Sequence, residues 1–197
     1  MHPRIAICIL LCIAAYGGKT IFAWQPSDIL ELPFGKKDRL ASPDGRYVLF
    51  GRTQNETKNG IPELWIAEPV LSKRVRLLEL NGTVRAGWSP DGAAFYVNDR
   101  WVSDRERSYL YDAASLDRTD LGKAILASDE RAARFATGHS YVGVAQWKDS
   151  RTVLVRWHGH TDEPPVVCFD LRYEVGRNGS VKKLAEHIAP VTDKGCH

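Results

Sequence analysis

The stretch Ala41-Ser42-Pro43-Asp44-Gly45-Arg46-Tyr47-Val48-Leu49-Phe50 recurs as Trp88-Ser89-Pro90-Asp91-Gly92-Ala93-Ala94-Phe95-Tyr96-Val97. The shared tetrapeptide Ser-Pro-Asp-Gly begins at Ser42 and again at Ser89, a period of 47 residues. Proline at the second position presets φ, and glycine at the fourth accepts the left-handed conformation that closes a tight hairpin. Each copy therefore predicts a structural turn followed by a strand.

The residues around these turns extend the repeat. The run after each turn is almost continuously apolar, which is typical of a strand covered on both faces. Downstream, Glu63–Ile66 matches Tyr109–Asp112 at a shift of 46 residues. A worn third copy has the strand Tyr141–Trp147, no Pro-Asp-Gly turn, and Val166–Asp170 as its later strand. A period of this length is typical of four-stranded blades, so the sequence predicts an all-β fold.

Copy two resembles the TolB-like (WD-like) β-propeller repeats of periplasmic and secreted proteins, through Trp88–Gly92, Phe95–Val97 and Leu110–Asp112. In copy one, Ala41 stands in place of the aromatic residue. The resemblance covers residues 38–185. It implies about three blades within one domain, and we place the domain at 24–197 and its blades at approximately 38–82, 83–123 and 140–185.

Three blades are too few to close a propeller ring, which takes at least about four. The resemblance therefore implies an open or partial propeller, unless Ile29–Leu32 and the C-terminal tail complete a fourth blade. We also expect Trp65, Trp88 and Trp147, which fall at repeat positions, to be packing residues.

One short helix is predicted between repeats two and three. The segment Lys123–Thr137 is richer in alanine, glutamate and arginine than the flanking repeats. The pattern predicts a helix over Asp129–Phe135, with Ser128 as its cap and Gly138 as its stop.

Residues 1–23 have the layout of a secretory signal, with a basic start at Met1–Arg4 and an apolar run at Ile5–Ala15. Small residues follow, and cleavage after Gly17 or after Ala23 fits this layout. The apolar run is shorter than the roughly 20 residues of a membrane span. We therefore predict a secreted or periplasmic protein with no membrane span in the mature chain; an uncleaved anchor is the alternative.

Two cysteines, Cys168 and Cys196, remain after removal of this signal. An oxidising compartment favours a disulfide between them, which would pin the C-terminal tail onto a strand. Two free thiols are the alternative.

The sequence carries no catalytic signature. It contains no Gly-x-Ser-x-Gly elbow, glycine-rich phosphate loop or His-Glu-x-x-His helix, so we expect neither an enzyme nor a cofactor. The formal net charge of +3 is small and mixed in sign, which argues against nucleic-acid binding.

A metal site is the rival interpretation. His158-Gly159-His160-Thr161-Asp162-Glu163 resembles the His-x-His-x-Asp-His signature of metallo-β-lactamase-type hydrolases, although Glu163 stands where the last histidine belongs. His158, His160 and Asp162 would then hold the metal of a small metal-dependent hydrolase. A polar hairpin loop explains the same residues without a metal.

Two polar segments, Arg52–Ile61 and Asp99–Ser108, are predicted as long loops that face a ligand. In the second, an aromatic side chain flanked by charges is a suitable anchor for a partner. Its candidate binding residues are Asp99, Arg100, Trp101, Arg105 and Arg107.

The leading hypothesis is an exported, non-catalytic binding module whose partner is another protein or a peptide. An inhibitor or immunity-type protein that caps a partner enzyme is a specialised form of it. Self-association through open repeat edges and a relic of a longer propeller are the remaining alternatives.

Overall fold

The computed structural model describes residues 29–32, 38–102, 105–191 and 196; the predicted signal segment lies outside them. A short first strand, β1 (Leu30–Leu32), precedes three four-stranded units. Unit 1 contains β2 (Arg39–Ala41), β3 (Val48–Arg52), β4 (Glu63–Glu68) and β5 (Lys73–Glu79). Unit 2 contains β6 (Thr83–Trp88), β7 (Ala94–Val102), β8 (Arg105–Asp112) and β9 (Arg118–Asp120). Unit 3 contains β10 (His139–Trp147), β11 (Thr152–His160), β12 (Val167–Gly176) and β13 (Val181–Pro190).

Within each unit every strand pairs antiparallel with the next, so the predicted all-β fold of four-stranded units is confirmed. Unit 1 is a separate sheet, whereas units 2 and 3 belong to one nine-stranded sheet. Among the described strands, none of unit 3 pairs with unit 1, and the array is open.

The two Ser-Pro-Asp-Gly turns have the same geometry. The glycine amide donates to the serine carbonyl at 2.9 Å in both, from Gly45 to Ser42 and from Gly92 to Ser89. The two glycines have φ values of +73° and +70°, which an L side chain rarely adopts.

Unit 2 is packed on both of its faces, as its continuous apolar run predicted. One face joins unit 1 and β1 in a core that contains Leu49, Ile66 and Val97. The other face contributes Tyr96 and Leu110 to a second core with unit 3. Among the described residues, only one face of unit 1 is covered, and therefore the same sequence pattern leaves its alternate residues half-exposed.

Pairing corrects the repeat register. Leu49 pairs with Ile66 in unit 1, and its repeat equivalent Tyr96 pairs with Leu110 in unit 2. Ile66 is thus equivalent to Leu110, a shift of 44 residues rather than 46, because the β7–β8 connection is shorter.

An indole hydrogen bond links successive units. Trp88 Nε1 donates to the carbonyl oxygen of Leu40 at 3.0 Å, and Trp147 Nε1 donates to that of Gly87 at 3.2 Å. Leu40 and Gly87 are equivalent, being 47 residues apart, so unit 3 docks on unit 2 as unit 2 docks on unit 1.

Unit 3 is anchored to unit 2 by the side chain of Asn98, which hydrogen-bonds to a backbone segment of unit 3 as a peptide group would. The Asn98 amide donates to the Val144 carbonyl and accepts from the Val144 amide, both at 2.9 Å. The first residues of β10 also pair in parallel with the first residues of β8, and β9 pairs with β8 farther along the strand, at residues 109–111.

The predicted helix lies earlier than expected. An α-helix, α1 (Leu121–Ser128), begins after Asp120, whose carboxylate accepts from the Lys123 amide. The predicted segment is instead a 3₁₀ turn (Glu130–Phe135), and shorter 3₁₀ turns lie at Gln54–Glu56 and Pro69–Leu71. Ser128 is the last residue of α1 and not a cap.

The chain ends of the described region are tied to the sheets. β1 pairs with β6, the first strand of unit 2. Among the described residues, β1 and the C-terminal tail do not form a fourth blade. Cys168 and Cys196 form a disulfide with their Cα atoms 5.4 Å apart.

No helix within the described ranges is long and apolar enough to cross a membrane.

Candidate functional site

The outward face of unit 1 carries a row of arginine and aromatic side chains. Arg39, Phe50, Trp65 and Arg76 come from four successive strands and are paired in register across the sheet. Arg52 and Arg74 occupy the neighbouring rows on the same face. We call these six residues the arginine–aromatic face.

The aromatic rings of this face are in contact with cations. The Phe50 and Trp65 rings stack with centroids 6.4 Å apart. The Arg39 guanidinium lies 5.9 Å from the Phe50 centroid, and that of Arg52 lies 5.5 Å from the Trp65 centroid. Both rings are half-exposed and neither belongs to a core cluster, so their faces remain accessible.

Glu63 is buried on the same sheet face and orients two side chains of the arginine–aromatic face, Trp65 and Arg76. Its carboxylate accepts from Trp65 Nε1 at 2.8 Å and from Arg76 Nη1 at 3.0 Å. Burial raises the pKa of Glu63, but these two hydrogen bonds together with the charges of Arg76 and Arg52 outweigh burial and hold the pKa below its usual range. The buried carboxylate therefore stays ionised and holds an indole and a guanidinium in place.

Two depressions adjoin the row, and Arg39, Phe50 and Arg74 line both. One of them, of about 270 Å³, extends over Val48 towards Ser72. In these cross-strand rows four arginines stand against two glutamates, Glu63 and Glu79. Guanidinium groups bind carboxylates in a planar, two-point geometry, which suits this surface to acidic groups.

In unit 2, the face equivalent to the arginine–aromatic face packs against unit 1. Phe50 is equivalent to Val97, which is fully buried against unit 1. Arg39 is equivalent to Ala86, also fully buried, and Ala41 replaces the tryptophan that binds the preceding unit. Unit 1 therefore exposes the face with which unit 2 packs against its preceding unit. The residues of unit 1 on this face are unsuited to packing against another unit of this kind.

The predicted binding loop Asp99–Ser108 is not a loop. Asp99, Arg100 and Trp101 lie on β7, and Arg105 and Arg107 lie on the paired strand β8. Charged residues are compatible with these strands because most of their side chains here are exposed. Arg52–Ile61, in contrast, connects β3 to β4 as predicted and contains only a 3₁₀ turn.

Two members of this set contact neighbouring side chains, although Arg100 remains exposed. The Arg100 guanidinium lies 5.3 Å from the Tyr141 ring. Asp99 is half-buried opposite Arg107, and burial raises the pKa of its carboxyl while the Arg107 charge opposes that rise. The Arg107 guanidinium lies 5.5 Å from the ring of Trp101, which is 42% exposed. Asp99 is thus the half-buried member of the set, and Arg100, Trp101, Arg105 and Arg107 are exposed.

The histidine motif is divided by the structure. His160 and Asp162 lie beside His139, on the neighbouring strand β10. His158 lies one row away with its ring 5.3 Å from that of Tyr141. The three residues predicted to hold a metal therefore do not form one group, and His139 takes the place of His158.

The outward face of unit 3 is polar. Its central row consists of Tyr141, His158, Asp170 and His187, paired across β10 to β13. Arg156 and Arg172 in the next row both donate to Asp170. We call this surface the polar face; it has no apolar row on which a further unit could pack.

Sequence reasoning missed the arginine–aromatic face, since Trp65 was expected to be a packing residue. Trp88 is packed, Trp147 is partly buried against the core of unit 3, and Trp65 lies on the open side. The sequence offered little signal for this face, because Val48, Leu49 and Phe50 form a continuous apolar run and their alternate burial appears only in the structure.

The fold and this face define an open array of four-stranded units with an accessible cationic end. No protein-family model matches the sequence, and no curated protein matches it. Among solved structures, the chain is similar to the β-propeller domain of the Trilobed protease from Pyrococcus furiosus, which has an open velcro topology. The identity is 18% and the TM-score 0.46, over 75% of this chain and 43% of that one.

TolB from Acinetobacter baumannii is also similar, with 15% identity and a TM-score of 0.34. The match covers 82% of this chain and 44% of that one. The chain thus spans less than half the length of each of these two structures.

Proposed function

We propose that this chain is an exported, non-catalytic binding module that captures an acidic protein segment on the arginine–aromatic face. The observation that carries the proposal is the in-register row of Arg39, Phe50, Trp65 and Arg76 on a sheet face left open by the described residues. Arginine and aromatic residues are enriched at the centres of protein interfaces, where they supply most of the binding energy.

Charge selects the partner. The opposite end of the array, the polar face, carries Arg156 and Arg172 against Asp170, so this cluster of a second copy has no excess of acidic groups to offer in return. The chain's own first 28 residues contain Arg4 and Lys19 against Asp28, and they are no better matched to four arginines. A carboxylate-rich segment of another protein is the complementary occupant.

Export has separate support. The signal layout of residues 1–23 and the Cys168–Cys196 disulfide both fit an oxidising compartment. Fractionation of cells that express the chain with and without residues 1–23 tests this part, and retention of both forms in the cytoplasm would contradict it.

The binding test uses a fluorescein-labelled, glutamate-rich peptide with interspersed leucines, measured by fluorescence anisotropy. The variant Arg39→Glu with Arg74→Glu reverses two exposed charges on the arginine–aromatic face. We expect at least a roughly tenfold loss of affinity, because both new carboxylates repel the peptide.

The matched control is Arg156→Glu with Arg172→Glu on the polar face, which changes the net charge equally. It should leave the affinity within about twofold, and a lysine-rich peptide should not bind the wild-type chain. Equal losses in both double variants, with circular dichroism unchanged, would show non-specific attraction and refute the proposed site.

A further inference from the structure

His139, His160 and Asp162 converge where β10 begins and β11 ends. The two histidines are paired directly across the strands, and their rings stack with centroids 4.3 Å apart. Asp162 Oδ1 lies 3.6 Å from Nδ1 of His139 and 3.5 Å from Nδ1 of His160. One potential ligand atom from each residue lies within 4.8 Å of the other two.

The backbone around this cluster is constrained by close approaches at two glycines and by a hydrogen bond to Thr161. Gly138 has a φ of +86°, and a Cβ there would come within 2.7 Å of the His160 carbonyl oxygen and 3.0 Å of Asp162 Cγ. A Cβ on Gly159 would overlap the His139 carbonyl oxygen. The buried Thr161 hydroxyl accepts from the Val167 amide at 3.0 Å, which fixes the chain next to Asp162. The three side chains therefore converge on a constrained backbone.

The distances suit a tetrahedral metal ion. Zinc binds imidazole nitrogen and carboxylate oxygen at about 2.0–2.2 Å, which places neighbouring ligand atoms of a tetrahedron roughly 3.3–3.5 Å apart. The separations from Asp162 Oδ1 to the two imidazole nitrogens are within a few tenths of an ångström of that spacing.

One donor atom is unengaged, and a second has one local contact: Nδ1 of His160 lies 3.3 Å from the Thr161 carbonyl oxygen and gives up that contact when it binds an ion. Nδ1 of His139 is shielded from solvent and has no hydrogen-bond partner within the described ranges. The side chains themselves remain accessible, since His139 is 45%, His160 35% and Asp162 57% exposed. An ion can therefore reach the cluster from solvent when the His139 imidazole turns about its side-chain bonds, with the sheet unchanged.

We propose that His139, His160 and Asp162 form a Zn²⁺ site with at least one coordination position left open. Two imidazoles and one carboxylate are ligands that zinc prefers, and an open position accepts water or a donor atom of a partner. The site lies at the end of unit 3, on the strand that carries His160 opposite Cys168. It is distinct from the arginine–aromatic face and does not depend on it.

The experiment is a Zn²⁺ titration of the tag-free chain against a fluorescent chelator, with isothermal titration calorimetry as the direct readout. We expect one equivalent of Zn²⁺, with affinity reduced at least about tenfold in each of His139→Ala, His160→Ala and Asp162→Asn. Bound Co²⁺ in place of Zn²⁺ should give the visible absorption of a four-coordinate ion, and the variants should lose it.

His158→Ala and His187→Ala are the controls, since both residues lie on the same polar face but outside the cluster. They should bind Zn²⁺ as the wild-type chain does. Asp162→Asn keeps the proposal testable if a histidine variant misfolds. Absence of one-equivalent binding, or binding unchanged in Asp162→Asn and His160→Ala, would show that the cluster is an ordinary histidine–aspartate contact and overturn the proposal.

Discussion

At the scale of single residues, the arginine–aromatic face depends on one buried carboxylate. Glu63 is only 6% exposed, and it holds both Trp65 and Arg76. A buried acceptor with two donors contributes more than an exposed ion pair, because solvent screens its hydrogen bonds less. The orientation of the two side chains is thus set by a residue that is buried on the same sheet face.

Glu63→Gln should lower the free energy of unfolding at neutral pH, because the amide cannot accept as strongly from an indole and a guanidinium. The folded state holds the pKa of Glu63 below its unfolded value. The stabilisation is therefore complete above the unfolded pKa and is lost as the pH falls through the folded pKa. Urea unfolding of both proteins from neutral to acidic pH should show the difference shrinking.

Glu79→Gln is the control for that experiment. Glu79 also accepts from Arg76, at 2.9 Å, but its side chain is 39% exposed, and solvent screens the pair. The control should change the stability little at any pH. A Glu63→Gln loss that is independent of pH would contradict the role assigned to its charge.

At the scale of strands and helices, Asn98 is the clearest case of a side chain that assembles the array. It is 4% exposed, and its amide completes both peptide hydrogen bonds of Val144 on the next unit. Ser108 lies beside it, with its hydroxyl 2.6 Å from the Val142 carbonyl oxygen. Units 2 and 3 are therefore joined by specific polar contacts as well as by apolar packing.

Asn98→Ala should lower the free energy of unfolding by about 2–4 kcal/mol, because it leaves a buried amide and a buried carbonyl of β10 without partners. Asn55→Ala, at an exposed position of the β3–β4 connection, should change it by less than about 0.5 kcal/mol. Chemical denaturation measures both. A loss below 1 kcal/mol in Asn98→Ala would show that packing alone joins the units.

The elements also show which features local sequence could predict. The two Ser-Pro-Asp-Gly turns and the buried run of β7 followed from turn chemistry and pattern, and they are present. The position of α1 did not follow, since Gly122 disfavours a helix while Leu121 and Ile125, both fully buried, stabilise it through tertiary packing. The β7–β8 hairpin appeared as a charged loop because its supporting contacts, such as Trp101 with Arg107, are cross-strand.

The candidate sites show the same limit. The histidine motif correctly drew attention to His160 and Asp162, but their neighbour His139 comes from a different strand and is set by pairing register. The arginine–aromatic face combines four strands, so it required the sheet order before its residues could be grouped.

At the scale of the whole molecule, the array has two open ends of different character. The arginine–aromatic face carries an excess of arginine, and the polar face carries Arg156 and Arg172 around a single aspartate. Neither end supplies the charge that the other needs, and head-to-tail self-association is therefore disfavoured.

The chain should consequently be a monomer across the micromolar range at low salt. Sedimentation velocity at increasing concentration measures this directly. A dimer that dissociates in Arg39→Glu with Arg74→Glu would show instead that a second copy occupies the arginine–aromatic face.

The most direct test of the central claim locates the bound peptide on the molecule. A glutamate-rich peptide with a benzophenone group is irradiated with the wild-type chain, and the cross-linked residues are identified by mass spectrometry. The account predicts cross-links on β3 to β5, around Phe50 and Trp65. Cross-links confined to Trp101 and the β7–β8 hairpin, or to the polar face of unit 3, would contradict it.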